Sequence, residues 1–154
     1  MFTPYTEDDF EVATSYLSVD EADEIIAGQK MNTNWNNLDD DIKKILLIQS
    51  SLAVDGALMY YGVKVSDNQI LKFPRKKIDD EDNKVIPLNI KFATASLCLK
   101  YSNDEAFKNV TSETISKLTR VFEASSNDIG LEILALLKPL KASTVRLGGM
   151  YDKY

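Results

Sequence analysis

The sequence predicts a mainly α-helical fold: a small bundle of about four helices with a long loop, a minor β element and extended termini. Three observations predict it. Apolar residues recur at helical spacing in separate runs of the chain. Helix-start signals stand ahead of three of those runs, at Ser18–Glu21, at Asp39–Asp41 and at Pro87. Between Gly62 and Asn83 the chain carries neither period, and Pro74 and a run of acids interrupt it.

Residues 1–14 show no periodicity and read as an extended N-terminal arm. Ser18-Val19-Asp20-Glu21 has the Ser-x-x-Glu form of a capping box, so a helix is expected over 19–28, ended by Gly28. Asn32–Asn37 is a polar loop around Trp35, which packs on the edge of the core or anchors a subunit interface. Asp39, Asp40 and Asp41 favour the positive end of the next helix, expected over 40–60. Ile42, Ile45, Leu46, Leu52 and Ala53 mark one face, and Leu47, Ile48 and Val54 add a second apolar side. A helix apolar on most sides is buried on most sides, in the core or against another subunit. Tyr60-Tyr61 at its end has the same two readings as Trp35.

The stretch 62–83 is a loop long enough to have a role of its own. Pro87 suits the first turn of a helix over 88–101, with Ile90, Ala93, Leu97 and Tyr101 on one stripe and Phe92 and Leu99 on another. Residues 114–122 fit a helix through Ile115, Leu118 and Phe122, and fit a strand through their β-branched content. Ser126 or Asn127 can cap a last helix, 128–138, with Ile129, Ile133, Leu136, Leu137 and Leu140 giving it a core face and Pro139 at its end. Val145-Arg146-Leu147 can form a short strand, with 118–122 as a candidate partner. The expected core includes Ile45, Leu46, Leu52, Leu97, Ile133 and Leu137. The division is then an arm (1–14), one domain (15–140) and a tail (141–154).

Composition excludes several chemistries. There is no histidine, hence no commonest general base and no commonest transition-metal ligand. The single cysteine, Cys98, lies in an apolar run and reads as an inert buried thiol. Asp39–Asp41 sit on successive helix positions about 100° apart and do not converge on a cation. Asp79-Asp80-Glu81-Asp82 lacks the alternating spacing and glycine of a calcium loop. No phosphate-binding loop, dinucleotide-binding glycine pattern or nucleophile elbow is present. These features point to a protein with no catalytic activity, no cofactor and no bound metal. No apolar run reaches the ~18 residues of a membrane span, and the first residues lack the basic and apolar parts of a signal peptide.

The net charge of −6 is unevenly placed: residues 1–42 hold eleven acids and one lysine, while the rest is net basic. That is either a solvated acidic face or a subunit whose acidic and basic parts meet neighbours. Arg75-Lys76-Lys77 beside Phe73 is a small basic patch followed by four acids, a weak basis for a single-strand groove, which calls for several aromatics along a basic track.

One set of marks occurs in order: Ser15–Asp23, Trp35 and the apolar helix after it, Gln69-Ile70-Leu71-Lys72-Phe73-Pro74-Arg75, Ile86-Pro87, and Leu131–Leu140. The series resembles a family of small bacteriophage proteins often labelled DnaT-like single-stranded-DNA-binding, which look like head–tail adaptor, or head completion, proteins. The resemblance implies a small helical bundle that forms a ring, commonly twelvefold, beneath the portal in the virion neck. Such a ring extends the DNA channel, touches viral DNA passively, and joins the portal protein to a tail, stopper or nozzle protein. It also implies extended chain at 114–122. The long loop would meet neighbouring subunits and the C-terminal segment would reach the portal. The candidate partner-binding residues are therefore Phe73, Arg75, Lys76 and Lys77 in the loop, and Arg146, Met150, Tyr151 and Tyr154 in the tail. Two other functions stand beside this one: a single-stranded-DNA-binding replication protein, as the label has it, and an acidic inhibitor that mimics DNA.

Overall fold

The computed structural model describes residues 1–29, 34–103 and 129–142, and the backbone of 144–147 and 150–153. Among the described residues there are four α-helices: α1 (Val19–Ala27), α2 (Asp40–Ala57), α3 (Leu88–Ser102) and α4 (Leu131–Leu137). Two small antiparallel pairs accompany them, β1 (Val63–Lys64) with β2 (Arg75–Lys76), and β3 (Thr144–Leu147) with β4 (Met150–Lys153). The fold is mainly helical, as expected. No described helix is long and apolar enough to cross a membrane.

The start of α1 is the capping box read from the sequence. Ser18 Oγ accepts from the Glu21 amide at 3.1 Å, and Glu21 Oε1 accepts from the Ser18 amide at 3.2 Å. Two amides that the first turn leaves without helical partners are thereby satisfied. Asp40 and Asp41 lie in the first turn of α2. This helix ends at Ala57 and not near 60, because Leu58 is fully extended (φ −145°, ψ 162°). α4 begins three residues later than expected: Gly130, at φ 87°, cannot be helical, so Ile129 stays outside. A short 3-10 turn, Lys138–Leu140, carries Pro139.

α3 is the central element and packs against α1, α2 and α4. Ile90, Ala93, Thr94, Ala95, Leu97, Cys98, Leu99 and Tyr101 are all buried on it, so most of its circumference is covered. The core joins these to Ala22 and Ile26 of α1, Ile42, Leu46, Leu47 and Val54 of α2, and Ile133 and Leu137 of α4. Leu46, Leu97, Ile133 and Leu137 are buried as expected. Two expected core residues differ. Ile45 is only partly buried, and Leu52 is 48% exposed. Ile45 still packs against the core from the edge of the buried face, whereas Leu52 lies with half-buried Ile48 on the outer side of α2. Phe92 likewise stands outside, 40% exposed.

Trp35 is fully buried, and its Nε1–H donates to Asp23 Oδ1 at 2.7 Å while Lys43 lies over its ring. Trp35 is thus a core residue, the first of its two readings. Residues 1–14 contain no helix, yet they lie against the body. Phe10 and Ala13 are buried, Phe2 and Tyr5 pack on the core, and Thr14 and Thr3 exchange bonds, with Thr14 N–H donating to Thr3 O at 2.8 Å. The strand expected near 145–147 is β3; its observed partner is β4, in the register Thr144↔Lys153 to Leu147↔Met150. The expected partner, 118–122, lies outside the described residues, as does the whole of 114–122.

Candidate functional site

The run Gln69–Arg75 is the sequence's most distinctive motif, and most of its residues serve the fold, Ile70 being exposed. The Gln69 side chain closes the turn: Nε2 donates to Leu71 O (2.9 Å) and Pro74 O (3.0 Å), and Oε1 accepts from the Ser66 amide (3.0 Å). Leu71 and Phe73 are fully buried. The Phe73–Pro74 peptide is cis. Phe73 meets Tyr16, Tyr60 and Tyr61 edge-on, with centroids 6.4, 4.9 and 6.1 Å away, a geometry that sets ring edges against ring faces. Arg75 spreads its guanidinium over three carbonyls: Nε donates to Tyr61 O (2.6 Å), one terminal nitrogen to Gly62 O (2.8 Å), the other to Lys72 O (3.3 Å). Gly62 is at φ 65°, and a Cβ there would stand 2.0 Å from Lys76 O, so β1 and β2 close only over a glycine.

Beneath this loop lies a buried polar network. The Tyr16 hydroxyl donates to Asp55 Oδ1 and accepts from the Phe73 amide at 3.1 Å. The second Asp55 oxygen accepts from the Lys72 amide at 3.0 Å. One carboxylate on α2 therefore holds the loop's backbone at two successive residues, directly and through Tyr16. Burial is the main cause that raises the Asp55 carboxyl to about 6, against the bonds from Tyr16 and Lys72, which lower it. Burial also pushes the Tyr16 phenol well up. Tyr60 donates its own hydroxyl to Val54 O. Tyr16, Asp55 and Gln69 were not among the candidate residues. A signal existed for each: Asp55 is an acid inside an apolar helix, Tyr16 is the second residue of the motif Ser15–Asp23, and Gln69 opens the run Gln69–Arg75.

These placements change the candidate list. Phe73, offered as a partner contact, is instead fully buried within this chain, against Tyr16, Tyr60 and Tyr61. Arg75 is turned inward onto backbone carbonyls. Lys76 Nζ pairs with Asp82 at 2.7 Å. Lys77 is exposed. Arg146, Met150 and Tyr151 fall in the β3–β4 hairpin, where the backbone alone is described, and Tyr154 lies outside the described residues. The root of the hairpin is stitched to the end of α2: Tyr61 N–H donates to Leu140 O (3.0 Å) and Ala142 N–H to Met59 O (2.7 Å).

Loop and root together bound an open cleft of about 680 Å³. Tyr61 and Pro139 give it apolar wall, Arg75, Lys76, Lys77 and Lys141 line it with positive charge, and Asp80, Glu81 and Asn83 close the far side. Cys98 is fully buried, its Sγ donating to Ser50 Oγ at 3.2 Å, and burial pushes the thiol up to about 12. Among the described residues no group of acids or cysteine is arranged to hold a metal ion.

No curated protein and no solved structure matches this chain at a significant level. One protein-family profile does, described as "Putative DnaT-like ssDNA binding protein", and it spans residues 8–147. That span runs from the N-terminal segment through all four described helices into β3. Its description agrees with the single-stranded-DNA-binding expectation more than with the neck adaptor. Over nine-tenths of its length, the chain belongs to this DnaT-like family.

Proposed function

We propose that this chain is a structural assembly subunit without catalytic activity, and specifically a phage head–tail adaptor. It would form a ring beneath the portal and join the head to the tail. The observation that carries this reading is the outward apolar stripe of α2. Ile48 is half-buried and Leu52 48% exposed on this side, and Met59, just past the end of the helix, is 72% exposed. Exposed apolar surface along one helix is the mark of a face that another chain covers. The distinctive loop fits the same reading in a different way, since its aromatic and its arginine serve the fold and are not spent on a ligand.

The test is the protein's whereabouts and the role of its tail. Purified virions should contain it at a copy number like that of the portal. Deleting residues 141–154 should leave the domain folded and abolish its binding to portals, giving particles that fill with DNA but fail to retain it or to join tails. Truncated protein that still supports infectious particles would remove the docking role.

The second reading is single-stranded DNA binding, favoured by the family's description. It predicts affinity that falls steeply with salt, because each neutralised phosphate releases a counterion. The net charge of −6 and the sparse cationic surface argue for weak and non-specific binding at most. Tight binding of an oligonucleotide at about 0.15 M salt would promote this reading over the adaptor.

A further inference from the structure

The cleft between the loop and the root of the hairpin has charge that the fold does not use. Arg75 is spent on three carbonyls and Lys76 on Asp82, which leaves Lys77, on the loop, and Lys141, at the hairpin root, with no ion pair among the described residues. The molecule also has the complementary feature. Glu7, Asp8 and Asp9 are all exposed, in a turn fixed by the Asp9 amide donating to Thr6 Oγ1 at 3.0 Å, and no described base pairs with them.

We infer that this cleft receives the acidic turn Glu7–Asp9 of a second copy of the chain, in a contact between Lys77 and Lys141 on one side and these carboxylates on the other. The inference rests on the assembly reading above. A short acidic peptide suits the cleft better than a nucleic acid. Two unpaired ammonium groups fit a few carboxylates, whereas a phosphate backbone needs a continuous basic track and stacking rings. Here Asp80 and Glu81 interrupt the track, and Tyr61 is the one aromatic lining it among the described residues. The acidic and basic surfaces lie on different elements of one chain, so the contact is heterologous and can propagate from copy to copy.

Isotope-labelled and unlabelled full-length chains are mixed at low ionic strength and treated with a carbodiimide, which joins only touching carboxylate and ammonium groups. Mass spectrometry should find Glu7, Asp8 or Asp9 of one chain linked to Lys77 or Lys141 of the other. Charge reversal then gives the decisive comparison. Lys77→Glu with Lys141→Glu, and Asp8→Lys with Asp9→Lys, should each lose these links and sediment as monomers alone. Mixed in equal amounts, the two variants should associate, since each now complements the other. All four positions are exposed or rim residues, so folding is retained, and circular dichroism checks it. Links confined to single chains, or a mixture that stays monomeric, would overturn the contact. If links form elsewhere between chains, the contact falls while the assembly reading stands. If oligo-dT binding, and not self-association, is what the Lys77/Lys141 variant loses, the cleft is a phosphate site and the contact is overturned.

Discussion

Residues 62–76 and 77–85 are two halves of one irregular stretch, and they behave oppositely. The first half is bound to the body by buried side chains and by a polar network from α2. In the second half every residue is exposed, and its acids meet solvent apart from the Lys76–Asp82 pair. Both halves lack periodicity in sequence, and the two-residue strands β1 and β2 are the only regular structure in the first, so the difference owes little to secondary structure. It lies in where the backbone's polar groups go. In 62–76 the side chains of Gln69, Arg75 and Asp55 take up the amides and carbonyls that a sheet would otherwise satisfy, which lets the loop be buried. In 77–85 the bonds are local and exposed, the Asp80 amide donating to Lys77 O at 3.0 Å and the Val85 amide to Asn83 Oδ1 at 2.9 Å, and none ties the segment to the body.

The largest break in this contrast should come from Phe73→Ala. It empties the space between Tyr16, Tyr60 and Tyr61 and should cost about 3–5 kcal/mol in urea unfolding, enough to free the first half to resemble the second. Tyr16→Phe is subtler in volume but removes the hydroxyl that joins Asp55 to the Phe73 amide. Two buried polar groups are left unpaired, and a loss of about 2–4 kcal/mol is expected. Proteolysis should then cut within 66–76, where the wild type is cut only in 77–85.

A pH series sharpens the comparison further. The Asp55 carboxyl is raised to about 6 from 3.8, so the folded state holds this proton more tightly than the unfolded chain. Its stabilising contribution is complete below about pH 4 and is lost as pH rises through about 6, on the order of 2–3 kcal/mol. The Tyr16 and Tyr60 phenols facing it are pushed up by burial, away from that window. Urea midpoints should therefore fall between pH 4 and 6 by this amount, and Asp55→Asn should flatten the change. The smallest effect belongs to the outer half. Asp82→Ala removes an exposed ion pair and should shift stability by no more than about 0.5 kcal/mol. A comparable loss in Asp82→Ala and Tyr16→Phe would erase the distinction between the halves.

Most of the helical framework was legible because local rules wrote it: the capping box at Ser18, the acids ahead of α2, Pro87 before α3. The ends were less so. α2 stops at Ala57 through an extended Leu58 that no local signal marks, and Gly130 delays α4 through a backbone angle open to glycine. Leu52 reads as core because period alone does not say which of two apolar sides faces inward. The motif Gln69–Arg75 was visible as a mark but not as a mechanism. Its partners, Tyr16 and Asp55, lie 57 and 17 residues away from Phe73 and Lys72, and pairing at such distances leaves no trace in one sequence.

Cys98 gives the molecule a built-in reporter. It is the single cysteine of the chain, it is fully buried at the centre of α3, and its thiol is held far from ionisation at neutral pH. A thiol reagent therefore reacts only with molecules whose core has opened, and the labelling rate measures the free energy of that opening without denaturant. Chains recovered from different assembly states can be compared by the same clock. The native thiol can also stay in place while new surface cysteines are introduced, since probes added for short times distinguish the two by rate alone.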